Sequence, residues 1–283
     1  MKTRVFAVCV VVFLFCGITH AGLSDGLVAY YPFNGNANDE SGNGNNGKEY
    51  GGVTYGDGIT GKAASFDGKM NEYILISDSA SLSITTSLSI CSWVNSKFDI
   101  GQMAVVTKGY NKEDYTLWAI PDGIGLLLNW NTSEQFSEFY HSGALSKNTW
   151  YFLTATYDGQ KVKFYINGKI KAEYNFTHPI HTSHEALYIG SSYPGSYEVF
   201  SGRIDELRIY NRAISESEIQ QLYQSQSTCS NDIVIFTAGA PAKAAEVNAN
   251  FDTLNCQIQV LNSQLQALKA IVCKNEPTAS VCQ

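Results

Sequence analysis

Clusters of positive charge are scarce in this chain: 19 Lys and Arg stand against 26 Asp and Glu, and no basic run exceeds two residues. A protein that neutralises a phosphate backbone needs a concentrated basic footprint, so nucleic acid is excluded as a partner. After the first twenty residues no apolar run is long enough to cross a bilayer, which takes roughly 20 residues as a helix. No pair of cysteines has the C-x-x-C spacing usual at zinc sites, and no G-x-S-x-G elbow marks a serine hydrolase. Glycoside hydrolysis needs two carboxyl groups about 5–10 Å apart, and the nearest approach to such a pair is the adjacent Asp205-Glu206. Neighbours on an extended strand point to opposite faces, so these two are expected not to flank one bond, and the chain is read as non-enzymatic.

What is present favours strands. The 283 residues are 44% hydrophobic and include 24 Gly, 17 Tyr and 14 Phe, a bias towards β structure and tight turns. Strand patterns fall at 27–33, 73–76, 88–94, 104–107, 115–120, 124–129, 150–157, 162–166, 187–189 and 204–210, with no long helical period between them. A parallel βαβ sheet is thereby excluded and an all-β, two-sheet antiparallel sandwich expected. Asp158-Gly159 and Asn167-Gly168 are hairpin turns, because both pairs tolerate positive φ between β-rich runs. Within 88–94, Leu88, Ile90 and Val94 share one face and Cys91 and Trp93 the other, as in a central strand. Ser215-Glu216-Ser217-Glu218 is a capping box opening a helix whose apolar face is Ile219, Leu222 and Tyr223.

The two ends carry different signals. Lys2 and Arg4 precede about fourteen apolar residues, and Thr19-His20-Ala21 offers a cleavage site, so residues 1–21 are read as an export signal. The mature chain then carries a formal charge of −9, from the two basic residues removed from the full-length −7, and is expected to be secreted, periplasmic or at the cell surface, without a membrane span. The head is bounded at 22–226, followed by a linker over 227–245. Val247, Phe251, Leu254, Ile258, Leu261, Leu265, Leu268 and Val272 then form a heptad seam, read as a coiled-coil helix over 246–272 through which the chain forms a homo-oligomer. Four late cysteines, Cys229, Cys256, Cys273 and Cys282, suggest two disulfides in an oxidising compartment. Of three possible pairings, Cys273–Cys282 is favoured because Asn275, Pro277 and Thr278 can turn the tail 273–283 back on itself. Cys91 reads as a buried small hydrophobe.

Several stretches in order resemble one family: 26–35 (GLVAYYPFNG), 39–44 (DESGNG), Phe66-Asp67-Gly68, Trp93-Val94, Asp158-Gly159 through 165–168 (YING), and 204–215 (IDELRIYNRAIS). They are similar to the LamG-like jelly roll of the concanavalin A-like lectin/glucanase fold over roughly 22–224. The resemblance implies a two-sheet jelly roll, common in exported proteins that bind carbohydrate or protein surfaces, often with a calcium ion. The glucanase branch sets its acids in a Glu-x-Asp-x-x-Glu pattern, and only Ile204-Asp205-Glu206-Leu207 stands here.

Three groups of residues are candidates for chemistry. The Asn/Gly loop over 34–47 places many oxygens on a flexible backbone, suited to calcium or to turns alone. The resemblance implies that Asp39, Ser41 and Asn43 join Asp205 and Glu206 as the ion's ligands. His178, His181 and His184 recur every third residue, but Pro179 bars a helix that would align them, and an exposed loop is expected. Trp118, Trp130, Tyr110, Phe136, Tyr140, Tyr193 and Tyr197 are placed in or near loops, where aromatic faces grip sugars or partners. Trp130, Tyr193, Tyr197 and Trp118 are the chosen ligand-binding residues. The functional expectation is a non-catalytic module recognising a glycan or a cell-surface ligand on an oligomerising stalk, with a structural or adhesive spacer and a hydrolase as the alternatives.

Overall fold

The computed structural model describes residues 22–97, 101–110, 112–121, 123–142 and 145–226. The expected signal, linker, heptad helix and four late cysteines lie outside them. Among the described residues, fifteen strands, numbered in chain order, form two antiparallel sheets. The first runs β13 (Lys169–Asn175), β12 (Lys161–Ile166), β11 (Trp150–Tyr157), β6 (Leu88–Ser96), β15 (Ser201–Tyr210), β4 (Lys62–Asp67), β3 (Thr54–Asp57), with β1 (Leu27–Tyr31) also on β15. The second runs β10 (Ser137–Ser142), β9 (Gly123–Trp130), β8 (Glu113–Ile120), β7 (Met103–Lys108), β14 (Leu187–Ile189), β5 (Tyr73–Ile76), β2 (Gly47–Tyr50). This is the sandwich expected from the sequence.

Alternation along each strand sends one set of side chains between the sheets. Leu88, Ile90 and Val94 of β6 meet Leu117, Leu126 and Leu128 in one continuous core, while Cys91 and Trp93 emerge on the outer side. Each large aliphatic or aromatic side chain buried there contributes roughly 1.5–3 kcal/mol. Burial also pushes the Cys91 thiol up to about 12, which keeps it protonated and inert.

The outer face of the first sheet is covered. Helix α1 (Glu216–Gln226) starts at the capping box: the Ser215 N–H donates to the Glu218 carboxylate (2.7 Å), and the Glu218 N–H donates to the Ser215 hydroxyl (3.3 Å). Arg212 grips the same carboxylate with two guanidinium nitrogens. Ile219, Leu222 and Tyr223 then pack over Cys91, Trp93, Phe152 and Tyr165. The hairpin turn Asn167-Gly168 has φ of 51° and 72°, as such a turn requires, and Gln220 of α1 donates to the Gly168 carbonyl.

Strand β15 departs from simple alternation. Ile204 and Leu207 both enter the core, so the two residues between them lie on the outer side, and the pairing with β6 shifts register there. Glu206 takes a φ of 52° to make this bulge. The expectation that Asp205 and Glu206 face opposite ways is therefore corrected: both belong to the outer face. Both are buried, at 0% and 3% exposed.

Candidate functional site

The Asn/Gly loop is organised by Asp39 from within. Its Oδ1 accepts the N–H groups of Tyr30 and Ser41, and its Oδ2 accepts the Ser41 hydroxyl and the Asn45 N–H, all at 2.9 Å. A carboxylate has about four lone-pair sites, and all four are filled. Asn43 donates its amide to Leu27 O and to Ser41 Oγ. Asp205 accepts N–H groups from Ile59 (2.8 Å), Thr60 (3.3 Å) and Glu206 (2.9 Å). Glu206 Oε2 accepts the Tyr30 hydroxyl (2.9 Å) and the Arg208 guanidinium (2.8 Å).

The loop and the late strand are joined through Tyr30. Its backbone reaches Asp39, its hydroxyl reaches Glu206, and Arg208 lies 3.9 Å over its ring. Calcium takes six to eight oxygen ligands, whereas these carboxylates point at N–H and O–H donors beside a fixed cation. The set Asp39, Ser41, Asn43, Asp205 and Glu206 does not fit the ion. Burial pushes the Asp205 carboxyl up to about 7, against the pull of the backbone N–H groups.

The three histidines do not converge. His181 Nδ1 lies 2.8 Å from Asp114, His184 Nδ1 lies 3.4 Å from Asp78, and the His178 ring leans on Phe176. His184 is nearly fully exposed, but His181 is tied into a polar cluster that the sequence did not flag. At its centre Lys108, fully buried, donates to Asp78 (2.9 Å) and to the carbonyls of Ser183 and Glu185. No group of three or more metal-ligating side chains forms among the described residues.

No helix among the described residues lies over the outer face of the second sheet, but its centre is buried, with Ala104, Thr107, Thr116, Trp118 and Leu127 each at most 3% exposed. Trp118 of β8, Gly125 of β9 and Tyr140 of β10 sit in one row across the strands. A Cβ on Gly125 would lie 2.9 Å from the Tyr140 ring and 3.2 Å from Trp118, so glycine is what lets the two rings stack flat, 5.9 Å apart at 10°. Trp118 lies within the strand read over 115–120, and its expected accessibility near a loop is corrected: it is 1% exposed, covered by Tyr140, and presents no free face. Its indole N–H donates to Glu198 (3.3 Å), which also accepts the Ser192 hydroxyl. Gln102 donates to the Tyr140 hydroxyl (2.6 Å).

Other rings extend this surface. Tyr50 stacks on Tyr73 at 5.0 Å, Tyr73 meets Tyr188 edge-on at 5.7 Å, and Tyr193 meets Tyr110 edge-on at 5.0 Å. Tyr197, 86% exposed, is at the tip of the same loop as Tyr193. Trp130 is 40% exposed at the end of β9, between two asparagines in the left-handed region, Asn129 (φ 66°) and Asn131 (φ 53°). Asn129 is fixed there: its amide donates to the carbonyls of Gln135 and Pro179, and its oxygen accepts the His181 N–H. Strand alternation alone would send Trp130 the way of Leu126 and Leu128, into the core. The left-handed Asn129 turns it out. Sequence reasoning missed Glu198, Gln102 and the Tyr50–Tyr73–Tyr188 series; only the high Tyr content hinted at the last.

Burial pushes the carboxyl of Glu113, the cross-strand neighbour of Trp130, up to about 7, against the pull of the Thr116 hydroxyl. Glu138 and Glu198 add to the upward push.

Comparison with known proteins agrees with this architecture. Residues 66–220 match the sequence profile of a family described as the concanavalin A-like lectin/glucanases superfamily. A curated relative, mosquitocidal protein 1 of Paraclostridium bifermentans, is 26% identical over 213 residues, which is 66% of this chain and 16% of that protein. The chain thus spans less than a fifth of that relative. Domain 4 of an extracellular arabinanase from Geobacillus stearothermophilus, solved in complex with arabinotriose, superposes with a TM-score of 0.57 at 24% identity, covering 70% of this chain and 98% of the other. The binding domain of the mosquitocidal protein superposes at 0.61 with 20% identity, covering 72% and 53%. The binding domain of botulinum neurotoxin DC in complex with SialylT superposes at 0.59 with 16% identity, covering 73% and 53%. At these identities the structural likeness establishes the fold.

Proposed function

The chain belongs to the concanavalin A-like lectin/glucanase superfamily, and from that premise we propose that it is an exported, non-catalytic module that binds a carbohydrate or a glycosylated receptor. The observation that carries the reading is the outer face of the second sheet, which no helix covers among the described residues and whose margin bears the rings of Tyr50, Tyr73, Tyr110 and Tyr193 around a buried centre. A sugar ring has an apolar C–H face and a rim of hydroxyls. Flat rings beside a few fixed polar groups suit both. Trp130 and Tyr197 supply exposed ring surface and Tyr193 a half-buried ring, and Glu198 and Gln102 are the nearby polar groups. Support comes from the names of the similar structures, one a domain holding arabinotriose and two described as binding domains. The non-catalytic reading rests on the burial of Asp205 and Glu206, whose carboxylates are engaged by the protein's own donors.

The test is affinity for a panel of immobilised glycans. Trp130→Ala and Tyr197→Ala should each weaken binding about tenfold, equivalent to roughly 1.4 kcal/mol, with the melting temperature unchanged. Lys62→Ala, on β4 of the other sheet, should leave binding as it was. No glycan retained by the wild-type protein, or equal retention by all three variants, would remove the reading.

A further inference from the structure

Charge on the β12–β13 hairpin runs against the rest of the head. Residues 22–226 hold fourteen basic and twenty-two acidic side chains, yet the hairpin sets Lys161, Lys163, Lys169 and Lys171 against Glu173 alone. Glu173 pairs with Lys161 and, at 3.5 Å, with Lys163. Its hydrogen bond to Lys161 holds its carboxyl below the usual range. One carboxylate is therefore already seated between two of the four ammonium groups.

Lys169 and Lys171 make no ion pair among the described residues. Both line a cavity of about 450 Å³ between the hairpin and α1, together with Tyr151, Asn167, Gln220 and Tyr223. Its walls are fixed in advance. Asn167 accepts the Phe152 N–H (2.9 Å), Gln220 holds the Gly168 carbonyl, and Tyr223 stacks on Trp93 at 5.5 Å. The volume is in the range that holds a small ligand, and the lining combines two cations, two phenol rings, three amides and Ile166.

We infer that this groove is a second ligand site, separate from the outer face of the second sheet, and that it takes the carboxylate groups of an acidic glycan of the uronic-acid type. Lys169 and Lys171 stand to the foreign carboxylate as Lys161 and Lys163 stand to Glu173. Tyr151 and Tyr223 border the sugar ring, and the amides of Asn167 and Gln220 meet its hydroxyls.

The test is calorimetric titration of the mature chain with a short oligogalacturonate, alongside neutral dextran, dextran sulfate and an oligothymidylate. The wild-type protein should bind oligogalacturonate about tenfold more weakly at about 0.5 M than at about 0.05 M salt. Lys169→Glu with Lys171→Glu should lose at least about tenfold, and the milder Lys169→Gln with Lys171→Gln most of that, while Lys62→Glu with Lys97→Glu stays within about twofold. Melting temperatures should match the wild type, since all these side chains are exposed. The inference is overturned if the wild type fails to bind oligogalacturonate or if the control pair loses as much affinity. Equal affinity for dextran sulfate or oligothymidylate would also overturn it, by reducing the patch to a plain anion exchanger.

Discussion

Two buried carboxyls, Asp205 and Glu113, are each pushed up to about 7, foremost by burial. Their ordinary values are 3.8 and 4.5, so between about pH 4 and about pH 7 the folded protein holds more protons than the unfolded chain. Stability from these groups is full below that window and is lost as pH rises through it. Against the upward push of burial, Lys108 and Arg212 hold Asp78 and Glu218 low, so those two act in the opposite direction at more acid pH. The melting temperature is therefore expected to fall between about pH 5 and about pH 8. Glu113→Gln keeps an acceptor for the Thr116 hydroxyl, so the variant should show a shallower fall and melt higher than wild type at the alkaline end. Parallel slopes for the two proteins in calorimetric scans would contradict the assignment.

At this scale the sequence was readable only where the cause is local. The sequence places Trp130 in or near a loop, and the structure puts it on the surface between Asn129 and Asn131, both in the left-handed region that asparagine tolerates. Trp118 did not reveal its burial, because the ring that covers it, Tyr140, is two strands away across Gly125. Asp205 and Glu206 did not reveal their common face, because a bulge is a property of how β15 pairs with its neighbours.

Among the elements, the capping box and the Asn-Gly hairpin were legible since both are specified within a few residues. The short strands β2, β3 and β4, and β10, were not: they hold too few apolar residues to show a period and exist through their partners. The Asn/Gly loop illustrates the same limit. Its oxygen-rich composition suits an ion or a turn, and only the folded chain shows Asp39 saturated by four donors, with Tyr30 as the tie to β15. Removing the Asp39 carboxylate leaves those donors unsatisfied, and Asp39→Ala should cost about 2–4 kcal/mol in denaturant unfolding. Treating the wild-type protein with a calcium chelator should leave its melting temperature unchanged. A chelator-induced drop of several degrees would show that the loop holds an ion after all.

For the whole molecule, the asymmetry of the sandwich is the organising feature. One outer face is closed by α1 and its aromatic underside, with the basic groove at its margin, and the other has no helix over it among the described residues and carries aromatic rings at its margin. No helix among the described residues is long and apolar enough to cross a membrane. We propose further that the heptad seam over 247–272 joins two or three heads, so that weak contacts act together. Sedimentation of the mature chain should then give a multiple of the monomer mass; a monomer at high micromolar concentration would end that part of the account.

The central claim is that the aromatic margin of the second sheet's outer face meets the ligand. Hydrogen–deuterium exchange with and without a glycan retained from the panel reports this directly. The account predicts slowed exchange in β8, β9, the turn over 131–136 and the loop over 190–199, with β4, β15 and α1 unchanged. Protection confined to the first sheet, or absent from both, would contradict it.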